Sequence, residues 1–276
     1  AMTQNSALKS DISADSSYVD SDMRKIQHIK NQKGIVVSTQ NLFNSYNQLR
    51  VNADLIQKNV EVMEAAANAV QTQASIGMAT QADVLKAQKN LQSIKSTQTE
   101  TLSSLETLRQ NLCMMTGWSY NAQPEIKEVP QADLAAIDQI NLEADRQKAL
   151  ENNYDLQYSR KALNNMQENS TDKKNQERTV KNLEQSISAS MTNLYNDIQQ
   201  KKIAWQLAQA ELATEQQSMS ATETKRGLGM VSDLEYLQAQ SSFLGKQIAE
   251  KTANMALFQA VETYNWAVNG YLNQTQ

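Results

Sequence analysis

The sequence predicts an all-α protein made of two tandem repeats of a long antiparallel coiled-coil hairpin. Of its 276 residues, seven are glycine and two are proline, and 5% are aromatic, so residues that favour turns and strands are both scarce. Long stretches also carry apolar residues at alternating spacings of four and three, which is the heptad pattern of helices packed as coiled coils. We therefore expect one elongated helical domain over residues 1–276.

The first long helix is predicted over 35–75, a length of about 60 Å at ~1.5 Å per residue. Its apolar seam is unbroken and consists of Leu42, Tyr46, Leu49, Ala53, Ile56, Val60, Met63, Ala67, Val70 and Ala74. A second seam follows after a few residues and consists of Val84, Ala87, Leu91, Ile94, Gln98, Thr101, Leu105, Leu108, Leu112 and Met115. Because so few residues separate the two helices, the second must fold back on the first.

The second half of the chain repeats this arrangement on either side of Gly229. The helix before this glycine has the seam Val180, Leu183, Ile187, Met191, Leu194, Ile198, Trp205, Ala208, Leu212 and Met219. The helix after it has two apolar stripes, which are Leu234, Leu237, Leu244, Ile248, Met255 and Phe258, and then Leu257, Val261, Tyr264 and Val268. A helix with two stripes contacts more than one neighbour.

Both prolines lie between the halves, so we assign repeat one to 1–118, a connector to 119–147 and repeat two to 148–276. A shorter helix is predicted over 141–167, followed by a polar break at 168–176. The matching break in the first half is expected at 31–37. The first copy has no equivalent of the segment before Ala149, so we expect the natural protein to begin earlier.

Three pairs of segments carry the repeat, in the same order and with nearly the same offset. "AMTQNSALK" at 1–9 matches "ALENNYDLQ" at 149–157, and Tyr46-Asn47 matches Tyr195-Asn196. "GMATQADVLKAQ" at 77–88 matches "GMVSDLEYLQAQ" at 229–240.

The third pair predicts two hairpin tips with the same local chemistry. Thr80 with Asp83, and Ser232 with Glu235, have the spacing of capping boxes that start the returning helices. The glycines of these segments, Gly77 and Gly229, suit the left-handed residue that closes the preceding helix.

The methionine that follows each tip glycine has two interpretations. In the first, the segments are only well-formed hairpin turns. A capping box does not explain Met78 or Met230, however, and a large apolar residue at an exposed tip is suited to contact another protein.

In these motifs the chain resembles the TolC-like outer-membrane efflux proteins, the exit ducts of tripartite export pumps. The tip segments "IGMAT" and "LGMVS" look like the family's hairpin turn, "ADVLKAQ" and "LEYLQAQ" like the helix start after it, and "LCMMTGW" like the close of its first repeat. The resemblance implies a homotrimer whose hairpins form a tubular helical barrel. It also implies that the tips meet a periplasmic adaptor, which links the duct to an ABC or RND-type transporter, and that the chain belongs in the cell envelope.

On this pattern, the adaptor contact is carried over to the two tips. The residues concerned are Ile76, Gly77, Met78, Ala79 and Thr80 in the first tip, and Leu228, Gly229, Met230, Val231 and Ser232 in the second.

The chain departs from the family at 31–37 and 168–176, where members insert the β-strands of a membrane barrel. Neither segment has the roughly 9–11 alternating residues that a membrane strand needs, and no apolar run reaches the roughly 20 residues of a spanning helix. We therefore expect no membrane insertion by this chain. Two explanations stay open, a natural member without the barrel and a chain from which the strands were deleted; the polar, linker-free joins favour the first.

Composition and motifs speak against several other functions. The net charge of −4, with acidic and basic residues interspersed, gives no nucleic-acid footprint. One histidine, His28, and one cysteine, Cys113, leave no basis for catalysis or a zinc site, and we expect no cofactor. Cys113 is expected to be buried, the tryptophans to be explained by packing, and the scattered methionines to fill the core.

Two functions therefore remain, a conduit component and a structural coiled-coil scaffold or interaction protein of the cell envelope without a lumen. The second apolar stripe of the last helix discriminates between them, because every helix of a closed tube contacts two neighbours.

Overall fold

The computed structural model describes residues 19–272, which form seven helices and no β-strand. The helices are α1 (Ser21–Ser75), α2 (Gln81–Met115), α3 (Leu134–Asp138), α4 (Leu142–Asn152), α5 (Tyr154–Asn165), α6 (Thr171–Gly227) and α7 (Asp233–Val268). The predicted all-α class and the four long helices are confirmed. The match of 1–9 to the second repeat lies outside the described residues.

The predicted breaks differ from the structure in both repeats. The break expected at 31–37 is wrong, because α1 is one helix through this segment. Its single glycine, Gly34, is tolerated in a helix at a cost of about 1 kcal/mol. In the second repeat the non-helical stretch is shorter than predicted, since α5 ends at Asn165 and α6 begins at Thr171.

The short helix expected over 141–167 is two helices, because Asn153 interrupts it. Asn153 has φ −60° and ψ 121°, and its side chain accepts from the backbone N–H of Leu156 at 2.9 Å, which caps α5. This asparagine is 1% exposed. The connector also contains a helix that the sequence did not indicate, α3, which is capped by Asp133.

The chain folds into two compact units, and each unit draws on both repeats. In the described residues, unit 1 comprises 19–36, Ile140–Tyr195 and 263–272, and unit 2 comprises Val37–Gln139 and Asn196–Glu262. The boundaries of the repeats therefore differ from those of the units, and the assignment of a single domain stays a prediction.

Unit 1 has a core of large apolar side chains and a tight junction at the end of α7. The core includes Met23, Leu156, Ile187, Met191 and Tyr264, each at most 1% exposed. At the junction, the N–H of Tyr154 donates to the carbonyl of Gly270, and the side chain of Asn152 donates to the carbonyl of Val268. These bonds join the end of α7 to the boundary between α4 and α5.

Side-chain hydrogen bonds give the order of the four long helices in unit 2. Gln98 of α2 bonds to Gln57 of α1, Ser241 of α7 bonds to Asn59 of α1, and Trp205 of α6 bonds to Glu250 of α7. Within residues 19–272, no side-chain hydrogen bond or ion pair joins α2 to α6. The order is therefore α2, α1, α7, α6.

The connector crosses these four helices in the same order, and we call residues 119–139 the strap. Arg109 of α2 donates to the carbonyl of Ala122, and Arg50 of α1 donates to that of Ile126 at 2.9 Å. Asn254 of α7 accepts from the N–H of Ala132 at 3.0 Å, and Lys202 of α6 pairs with Asp138. The strap thus gives the helix order independently of the helix-to-helix bonds.

The predicted seams are the faces that the helices bury. All the seam positions named above are buried or half-buried except Met63 and Met115. Both stripes of α7 are covered, as the prediction of two neighbours requires, and α7 bonds to α1 on one side and α6 on the other.

The predictions that the tryptophans are packed and that the methionines fill the core are wrong for some of these residues. Cys113 is buried as expected, at 1% exposed, but Trp118 is 58% exposed. Met114 at 58% and Met115 at 40% are also exposed, so these methionines do not fill the core.

Candidate functional site: the two hairpin tips

The first tip closes α1 with a left-handed glycine. Gly77 has φ 77°, and the N–H groups of Gly77 and Met78 donate to the carbonyls of Ala74 (3.1 Å) and Gln73 (2.8 Å). This pair of bonds is the Schellman motif. A Cβ atom on Gly77 would meet nothing within 4 Å, so the backbone angle alone requires glycine here.

The second tip repeats this geometry. Gly229 has φ 71°, and the N–H groups of Gly229 and Met230 donate to the carbonyls of Arg226 and Lys225, both at 2.9 Å. Two segments with different sequences around the shared Gly-Met therefore close their helices in the same way.

Each returning helix begins with a capping box. In the first tip, the N–H of Thr80 donates to Asp83 at 2.9 Å and that of Asp83 donates to the Thr80 hydroxyl at 3.2 Å. In the second, the N–H of Ser232 donates to Glu235 at 2.8 Å and that of Glu235 donates to the Ser232 hydroxyl at 3.2 Å. Both reciprocal pairs form at the spacing that the sequence gives.

Hydrogen bonds at the caps stabilise the charged form of both carboxylates. Bonds from the hydroxyl and the N–H of Thr80 lower the pKa of Asp83 below its ordinary value. The N–H and the hydroxyl of Ser232 lower the pKa of Glu235 in the same way. Both acids are therefore anionic at neutral pH, at helix N-termini that favour negative charge.

The apolar side chains of both tips face solvent. Met78 is 75% exposed and Met230 is 70% exposed, with Ile76 at 66% and Leu228 at 71% beside them. Large apolar groups gathered on an exposed turn are typical of a surface that contacts another protein.

The pairing of α1 with α7 places both tips at the same end of unit 2. Asn41 bonds to Gln259 and Asn59 bonds to Ser241, so the two helices are antiparallel. In both pairs the residue numbers add to 300, so Asp233, where α7 begins after the second tip, lies opposite Ala67, close to the end of α1 at the first tip. Four exposed apolar side chains therefore lie at one end of the four-helix layer.

The second tip has a charged cluster that the first lacks. Arg226 pairs with Asp233 at 2.9 Å, and its guanidinium lies 3.8 Å from the centre of the Tyr236 ring. The repeat-related residues of the first tip are an alanine, a glutamine and a valine at positions 74, 81 and 84. Sequence reasoning missed this difference, although the alignment of the two Gly-Met segments contains it.

Behind the first tip, α1 and α2 leave a cavity of about 280 Å³. Small or apolar residues line it from α1, including Ala66, Ala67 and Val70, and the α2 side is formed by Asp83, Lys86, Ala87 and Asn90. The run "EAAANA" at 64–69 is the sequence signal for such a depression, because alanine leaves space between packed helices.

The described residues contain neither a metal-binding cluster nor a helix that could span a membrane. Within 19–272, no cluster of three or more His, Cys, Asp or Glu side chains has the arrangement of a metal site. None of the helices in these residues has an apolar stretch long enough to cross a membrane.

Comparison with known proteins gives structural neighbours but no sequence relatives. The sequence matches no protein-family profile and no curated protein at a significant level. CusC, a protein that forms a transmembrane channel, aligns over 86% of this chain and 77% of its own, with 14% identity and a TM-score of 0.62.

Two further neighbours are outer-membrane proteins of named bacteria. VceC of Vibrio cholerae aligns over 90% of this chain and 72% of its own, with 12% identity and a TM-score of 0.54. The outer-membrane channel CmeC of Campylobacter jejuni aligns over 92% of this chain and 66% of its own, with 11% identity and a TM-score of 0.57. The resemblance seen in the sequence motifs is thus confirmed for the fold, and the chain has the helical fold of TolC-type outer-membrane channels.

Proposed function

We propose that this chain is the exit-duct component of a tripartite efflux system, in which several copies form a tubular helical conduit. One observation carries the proposal: the four-helix layer of unit 2 ends in two edge helices that are each covered on one side. Most positions of α2 and of 196–227 in α6 are exposed, whereas most positions of α1 and α7 in this unit are at least half-buried. Copies placed side by side would give each edge helix its second neighbour.

A homotrimer would close such a tube with three copies of four helices, as the resemblance implies. The exposed face of α2 is polar along much of its length, with Gln92, Ser96, Thr99 and Ser103. Polar side chains of this kind suit a water-filled route. The duct supplies passage only, and the energy for export comes from the partner pump.

The tips are the proposed contact with a periplasmic adaptor, and through it with an ABC or RND-type transporter, in the cell envelope. Support comes from the exposure of Met78 and Met230 and from their position at one end of unit 2. Rigid turns carrying exposed apolar groups lose little conformational entropy on binding, which favours their use as contacts.

Adaptor binding tests the proposal. We expect the double variant Met78→Asp/Met230→Asp to lose capture of the cognate adaptor in a pull-down while its circular dichroism stays unchanged, because each aspartate places a charge in an apolar contact. Val36→Asp is the matched control, since Val36 is an apolar residue of unit 1 that is 45% exposed. Equal adaptor affinity for the double variant and the control would overturn the proposed role of the tips.

A further inference from the structure

Each edge helix of unit 2 has an exposed apolar patch near the strap. The α2 patch comprises Met114, Trp118 and Tyr120, which are 58%, 58% and 61% exposed. The α6 patch comprises Ile203 and Leu207, which are 66% and 60% exposed. Side chains of this size in one small area are typical of protein contacts.

The strap fixes the two patches at the same level on opposite edges of the layer. At its first end, Arg109 donates to the carbonyls of Tyr120 and Ala122, which holds the α2 patch against the last turns of α2. At its other end, Asp138 pairs with Lys202, the residue before Ile203. Since the strap crosses α2, α1, α7 and α6 in order, each of its ends marks one edge.

In each patch, the residues that belong to a helix point away from the neighbouring helices of the same chain. Trp205 is 4% exposed and bonds to Glu250 of α7, and Ile203 and Leu207 are each two residues from it. Two residues correspond to a rotation of about 200° around a helix, so both side chains lie on the opposite face. Met114 stands in the same relation to Leu112, which is 6% exposed.

We propose that the α6 patch of one copy packs against the α2 patch of the next copy, in a head-to-tail contact repeated around the assembly. The contact joins two different patches on opposite edges, and repeated contacts of this heterologous kind form a ring when the rotation between copies closes. It also continues the alternation of helix directions, because α6 runs towards the tips and α2 runs away from them. Tryptophan and tyrosine facing aliphatic side chains have the composition of interface hot spots.

This inference rests on the proposed function for the existence of a homo-oligomer, and it adds which residues make the contact. It also gives a role to Trp118, which is 58% exposed in the single chain. In the assembly, Trp118 would be buried by the neighbouring copy.

Cysteine cross-linking of the full chain tests the contact, in a Cys113→Ala background that removes the single native thiol. We expect a mixture of Trp118→Cys chains and Ile203→Cys chains to give covalent dimers with a short bis-maleimide, and neither chain alone to do so. A chain carrying both substitutions should give a ladder of covalent oligomers. Leu85→Cys with Ile203→Cys is the matched control, because Leu85 is 58% exposed on the same edge helix but near the tip.

Light scattering separates failure of this contact from failure of the proposed function. An oligomer that forms without Trp118–Ile203 cross-links, or that cross-links through Leu85 equally well, would overturn the contact and leave the duct in place. A chain that stays monomeric would overturn both. In the intact assembly, Ile203→Asp should weaken association at least about tenfold with helicity unchanged, as expected for a buried hot spot.

Discussion

The side chains of Asn59 and Ser241 hydrogen-bond to each other across the two repeats. This bond lies in unit 2 and sets the antiparallel register of α1 and α7. Because each of these helices ends or begins at a tip, this bond and the bond between Asn41 and Gln259 together define where the two exposed methionines lie relative to each other.

The register predicts a short distance between the tips. With spin labels on Met78→Cys and Met230→Cys in a Cys113→Ala background, we expect a separation of about 20 Å. Each tip lies between the two helices of its hairpin, so the tips are two helix spacings of roughly 8–10 Å apart. Pulsed electron resonance on labelled chains diluted into unlabelled protein measures this distance. A main distance above about 50 Å would contradict the register.

Gly270 is predicted to be irreplaceable at the end of α7. It has φ 95°, and a Cβ atom there would lie 2.1 Å from the carbonyl oxygen of Asn152, which is backbone and cannot move aside. We expect Gly270→Ala to lower the free energy of unfolding by at least about 2 kcal/mol in urea titrations.

Gly245 supplies the control for this substitution. It lies within α7, and a Cβ atom there would meet nothing within 4 Å. Gly245→Ala should therefore raise the free energy of unfolding by about 0.5–1 kcal/mol. A loss of the same size for both variants would show that alanine acts through something other than the Asn152 contact.

The capping boxes predict that the stability of the first turns of α2 and α7 decreases at acid pH. The pKa values of Asp83 and Glu235 are lowered from their ordinary 3.8 and 4.5, so the stabilisation of the charged caps is fully present above those ordinary values. It is lost as the pH falls through the lowered values. We expect the amide resonances of Thr80 and Ser232, whose N–H groups donate to these carboxylates, to shift in this acid range.

The neutral variants Asp83→Asn and Glu235→Gln serve as controls for this titration. In each, the amide resonance of the corresponding cap residue should lose its acid transition, because no carboxylate remains to be protonated. A transition that persists in both variants would mean that the caps are not its source.

The attachment of the strap to α7 depends on Asn254, which is 6% exposed. Its side chain accepts from the N–H of Ala132 at 3.0 Å and donates to the carbonyl of Pro130 at 3.2 Å. Asn254→Leu would leave both strap groups without these partners, at a cost of about 2–3 kcal/mol in the free energy of unfolding.

Lys251 lies one turn away and offers a comparison with an exposed contact of the same strap. It pairs with Glu128 at 3.4 Å, and the two side chains are 51% and 70% exposed. Lys251→Met should cost less than about 1 kcal/mol, because exposed ion pairs contribute little. Equal losses for Asn254→Leu and Lys251→Met would contradict the role assigned to burial.

The sequence by itself determined the features that arise from contacts between neighbours along the chain. The seams of α1, α2, α6 and α7, the left-handed Gly77 and Gly229, and both capping boxes depend on residues within a few positions of one another, and periodicity reveals them. The internal repeat also predicts that the two tips have the same backbone conformation. It does not predict the difference in charge that Arg226 gives the second tip.

Only the tertiary structure decided how the helices are ordered and which apolar residues stay exposed. The order α2, α1, α7, α6 depends on pairs such as Asn59 with Ser241, which are far apart in sequence and have no periodic signal. The sequence shows that Trp118 is aromatic but not that it is exposed. Its exposure follows from its position at the end of α2, which is an edge helix. Hydrogen bonds within a turn join residues close in sequence, so the sequence predicts them. Which helices pack side by side depends on contacts between residues far apart in sequence, so only the folded chain shows it.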